Sequence, residues 1–116
     1  MNMIVIRPVS GQKRQEKIVN LPIGKKSKRL VFNLYYRDKT DMWYISIYEA
    51  QSGLLVCGEV PVVNSGYYPN DLFEAYKHKE IGQIACIPMA NNPSTENPSL
   101  NNWDEFALAW GDGIFG

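Results

Sequence analysis

The stretch RLVFNLYYRDKTDMWYISIY, Arg29 to Tyr48, constrains the fold more than any other part of the chain. Leu30, Phe32, Leu34 and Tyr36 share one parity, and Val31, Asn33, Tyr35 and Arg37 the other. A period of two is what a pleated strand imposes on a sheet with one face in the core. After the polar DKTD connection the alternation resumes: Trp43, Ile45 and Ile47 take one face, and Tyr44, Ser46 and Tyr48 the other. Two such runs joined by four residues predict an antiparallel hairpin.

The rest of the chain extends this pattern. EAQSG, with Gly53 free to adopt a positive φ, predicts a second turn, and LLVCGEVPVV a third strand broken near Gly58 and Pro61 by a bulge, bend or edge. The meander so defined runs from residue 30 to about 57. Upstream, Met3–Val9 predicts a short strand limited by Pro8 and Lys17–Gly24 a weaker one, with Lys25–Lys28 as a charged loop. Downstream, NDLFEAY predicts a short helix capped by Asn70 or Asp71, with Leu72, Phe73 and Tyr76 on one side. QIACIPM predicts another strand, ANNPSTENPSLNN a long polar loop of functional or mobile character, and FALAWG a last strand with Phe106, Leu108 and Trp110 on one face and Ala107 and Ala109 on the other. The expected fold is all-β and mainly antiparallel: a small β-barrel or tight sandwich of six to seven strands with one short helix. One domain spans 1–116, ending in a flexible tail over 111–116.

Composition narrows the functional classes. The 116 residues hold 45% hydrophobic side chains, enough for a single core, and twelve basic residues balance twelve acidic ones. A neutral chain has no overall field to gather nucleic acid or an anionic membrane, and little charge repulsion between copies. The N-terminal MIVI run has no basic lead and is interrupted by Arg7 and Pro8, so neither a signal peptide nor a membrane span is expected there. Cys57 and Cys86, far apart and without CxxC spacing, are expected as buried free thiols. A disulfide requires their strands to be neighbours. His78 stands among charges in YKHKE, and Asp71, Glu74, Glu80, Asp104 and Glu105 form no evident pair. Phosphate-binding, zinc-protease and nucleophile-elbow motifs are absent, so no catalysis, metal or cofactor is expected. The basic GQKRQEK and GKKSKR runs leave single-stranded nucleic acid as the alternative ligand of a small β-barrel, with Tyr35 as its one strong stacking candidate; Phe32 and Tyr36 lie on the core parity.

In order and at similar separations, MWYISIY, SGLLVCGEVPVV, NDLFEAY and FALAWGD resemble the baseplate plug family of cyanophage-type contractile tails. The resemblance covers residues 18 to 111, with NSGYYPN lengthening the segment before DLF. It implies a structural component of a phage, prophage or tail-like particle at the tail tip, assembled in the bacterial host cytoplasm. The implied partners are baseplate hub, tail tube and tape-measure protein, with further copies in a homo-oligomer, no membrane, and nucleic acid not expected. No catalytic residue accompanies the family. Candidate contact residues are those the core does not need: Tyr44 and Tyr48 opposite the Trp43 face, Tyr67 and Tyr68 beside Pro69, and Ile114 and Phe115 near the end.

Overall fold

The alternating runs form strands in the computed structural model, which describes residues 3–23, 26–63, 72, 81–89 and 97–111. Seven strands lie within these residues: β1 (Met3–Ile6), β2 (Arg14–Ile23), β3 (Lys26–Arg37), β4 (Met42–Glu49), β5 (Leu55–Pro61), β6 (Gln83–Pro88) and β7 (Phe106–Gly111). They build two antiparallel sheets, one of order β1-β7-β6 and one of order β2-β3-β4-β5. The fold is therefore all-β, with two sheets sharing one core.

The hairpin forms where its alternation places it, with Leu30 opposite Glu49 and Arg37 opposite Met42. Leu30, Phe32 and Leu34 of β3 and Trp43, Ile45 and Ile47 of β4 are buried. Ile84 and Cys86 of β6, with Phe106, Leu108 and Trp110 of β7, meet them from the other sheet in a single apolar cluster. Trp43 is buried with its ring edge-on to Trp103 of the segment before β7, at 5.6 Å between centroids.

Several boundaries differ from the expectation. The meander has four strands, because β2 is a ten-residue strand paired along its whole length with β3. Most of the expected Lys25–Lys28 loop belongs to β3, which begins at Lys26. Charged side chains there can face solvent from an extended backbone, so their charge did not mark a loop. The interruption near Gly58 takes the form of register shifts between β4 and β5, with Glu59 at φ 55°. Among the described residues the only helical segment is a 3-10 turn over Trp103–Glu105. The helix expected after Asn70 lies outside the described residues except for Leu72, which is buried and donates its N–H to the Ile84 carbonyl.

Part of the polar loop before β7 is held against the body of the fold. Leu100 accepts a bond from the Gly11 N–H, the Ser99 carbonyl accepts one from Trp43 Nε1 at 2.8 Å, and the Trp103 N–H donates to Ser10 Oγ. The first part of that loop, residues 90–96, lies outside the described residues.

Candidate interaction face

The outer face of the four-stranded sheet is set by the parity opposite to the core. Cross-strand register arranges its side chains in rows: Arg14, Tyr35, Tyr44 and Pro61 in one, Glu16, Asn33 and Ser46 in the next, and Ile18, Val31, Tyr48 and Leu55 in a third. Asn33 and Ser46 of the middle row are short beside the tyrosines of the outer rows. The result is a trough of about 690 Å³, with Asn33, Ser46 and Gly58 along its floor and Tyr35, Tyr48 and Leu55 among its walls.

One wall is pre-arranged by its own contacts. Tyr35 and Tyr44 stack with centroids 5.7 Å apart, and the Arg37 guanidinium lies 4.6 Å from the Tyr44 centroid and 5.4 Å from that of Tyr35. Glu59 pairs with that guanidinium, and its hydrogen bond leads the causes that raise the Arg37 pKa. The β5 irregularity places Glu59 there: its backbone N–H is held by Ser46 Oγ at 3.2 Å. Side chains fixed in this way lose little entropy on binding, and tyrosine and arginine recur at the energetic centres of protein interfaces. The opposite wall is formed by Tyr48 and by Leu55, 57% exposed, and their row continues away from the trough to Ile18, 60% exposed.

Of the expected contact residues, Tyr44 and Tyr48 stand on this face, both half-buried. Tyr67, Tyr68, Ile114 and Phe115 lie outside the described residues. Arg14, Arg37 and Glu59 belong to the face but do not stand out in the sequence; the parity that links Arg37 to Tyr35 is a signal for Arg37 alone. Tyr35, the stacking candidate for a base, already packs on Tyr44 and against Arg37, so part of its ring surface is engaged within the protein.

At the β3–β4 turn a second polar group ties the hairpin to the Ser99 segment. Asp41, at φ 50°, accepts hydrogen bonds from the Tyr36 hydroxyl and from Ser99 Oγ, the latter at 2.7 Å. These bonds hold the Asp41 carboxyl below its ordinary range, the Tyr36 bond first among the causes, and the same bond leads the causes that raise the Tyr36 pKa. Its geometry is that of a clamp.

Cys57 and Cys86 are both buried thiols with no disulfide between them, on strands of different sheets. Burial pushes the Cys86 thiol up to about 12, which removes it as a nucleophile near neutrality. Among the described residues no group of three or more His, Cys, Asp and Glu is placed to hold a metal ion.

A family model described as cyanophage baseplate Pam3 plug gp18 matches residues 3–113. The chain belongs to the cyanophage baseplate plug family. The match runs from β1 to beyond β7 and so takes in both sheets and every row of the outer face. Membership makes this baseplate plug protein a structural component of a phage tail that associates with other baseplate and tail components. The family points to a structural and not an enzymatic role. A comparison with curated proteins returned no match.

Proposed function

We propose that this plug protein sits at the tail tip and closes the end of the tail tube, contacting tube, hub and tape-measure protein, with several copies around the axis. The observation that carries the reading is the family match across nearly the whole chain. The outer face supports it: a trough with one rigid Tyr–Arg wall and one exposed apolar wall suits docking between proteins better than chemistry on a small molecule. Tyr44 and Tyr48 are proposed as contacts on that face, and Tyr67, Tyr68, Ile114 and Phe115 as contacts outside the described residues. Assembly takes place in the host cytoplasm, onto a contractile tail of a phage or a prophage-derived particle. A ring of copies would use head-to-tail contacts, which close under rotation.

The test is removal of the gene from a host producing the particle, followed by electron microscopy of purified tails. The expected result is tails lacking density at the tube end, restored by the wild-type gene. Tails with an unchanged tip and no detectable copies of the protein would overturn the proposal.

A further inference from the structure

Strand β2 is ten residues long and lies at the edge of its sheet. Its hydrogen-bonding parity follows from one contact: the Tyr36 N–H donates to the Lys13 carbonyl, so Lys13 and the other odd residues of β2 face β3 with their peptide groups. In an antiparallel ladder the alternate residues then point their N–H and C=O the other way. Arg14, Glu16, Ile18 and Asn20 turn these groups to the open edge, and Pro22, the one residue of the strand without an N–H, falls on the same parity, where β3 loses no bond. No described strand pairs with that edge.

The side chains on this parity are those of the outer face. Ile18, 60% exposed, ends the row that runs through Val31 and Tyr48 to Leu55, and it is flanked by Glu16 and Asn20. We infer that β2 pairs antiparallel with β2 of a second copy of this chain, about a two-fold axis at Ile18, joining the two four-stranded sheets.

Charge and bonding select both the partner and the register. An axis at Glu16 sets Glu16 against its own copy, and an axis at Lys17 does the same for Lys17; like charges directly opposite destabilise a strand pair. An axis at Val19 shortens the paired stretch, setting Glu16 against the Pro22 of the copy and leaving Arg14 beyond the strand end, so that about two fewer backbone hydrogen bonds form than with an axis at Ile18. With the axis at Ile18, Glu16 lies opposite Asn20 and Arg14 opposite Pro22, with no like charges opposed and roughly eight backbone hydrogen bonds made. The exposed Ile18 side chains meet, and the apolar row continues unbroken from Leu55 of one copy to Leu55 of the other. The zero net charge of the chain leaves no long-range repulsion against this pairing.

The inference concerns the isolated chain and does not depend on the plug reading. A tail is polar along its length, so such a pair either keeps its two-fold on the tail axis or separates during assembly.

Sedimentation of the purified chain over a wide concentration range tests it. The expected result is a reversible monomer–dimer equilibrium. Ile18→Pro removes an N–H that no described strand uses, and Ile18→Lys sets two ammonium groups on the axis. Each is expected to weaken dimerisation by about tenfold or more while keeping the wild-type circular dichroism spectrum. Should Ile18→Pro fail to fold, Ile18→Lys, an exposed substitution, carries the test. A wild-type chain that stays monomeric, one that forms only higher oligomers, or a dimer indifferent to Ile18→Lys overturns the inference.

Discussion

At Gly82 the chain approaches an indole more closely than any side chain would allow. Its φ is 78°, and a Cβ built there would lie 2.5 Å from Trp110 Nε1, whose N–H donates to the Ile81 carbonyl at 2.6 Å. Gly82→Ala adds a left-handed penalty to an overpacked contact and is expected to cost roughly 2–4 kcal/mol, read from the urea midpoint. Asp41 makes a different prediction. Its carboxyl titrates lower in the folded protein than in the unfolded chain, so its contribution is complete above about pH 4 and is lost as pH falls through the lowered value. The stability difference between wild type and Asp41→Asn should therefore be constant from pH 7 to about 5 and shrink below 4, measured by thermal melts across that range. A difference that grows in acid would count against the clamp. Neither residue stood out in the sequence: Gly82 precedes a strand like many glycines, and Asp41 closes a turn in which any polar residue is ordinary.

Between elements, the strands differ in how much of their role was written in their own pattern. β3 and β4 have one core face and one outer face, and parity alone assigned nearly every side chain. β7 is buried along its whole length, as expected of the central strand of the small sheet. Its Leu108 lies opposite Ile6 on one side and Cys86 on the other. Leu108→Ala should accordingly cost about 3 kcal/mol or more, read as a lowered unfolding midpoint in denaturant. A loss under 1 kcal/mol would mean that the two sheets do not pack through this strand. β2 read as weak because Arg14, Glu16, Lys17 and Asn20 dilute its apolar content; on an edge strand such residues are common, since polar and charged side chains discourage unplanned pairing. The β5 irregularity was legible from Gly58 and Pro61, but its consequence, a Glu59 turned to meet Arg37, was not, because it depends on where β3 ends.

For the molecule as a whole, two thiols report whether the sandwich is closed. Cys57 and Cys86 are buried in the shared cluster, so a thiol reagent at pH 8 should modify neither quickly in the native protein and both rapidly in denaturant. Fast modification of one cysteine under native conditions would place an opening motion in its sheet. The sequence by itself determined the all-β class, the hairpin and its buried parity, and the order of segments that marks the family, since local alternation and turn chemistry are properties of neighbouring residues. Tertiary structure alone decided that four strands form one sheet and three the other, that the Ser99 segment fastens to the Trp43 end of the core, and that Tyr35, Tyr44, Arg37 and Glu59 make one wall. Each of these depends on which strands lie side by side and where they end, and the energy of such pairings comes from the packed whole.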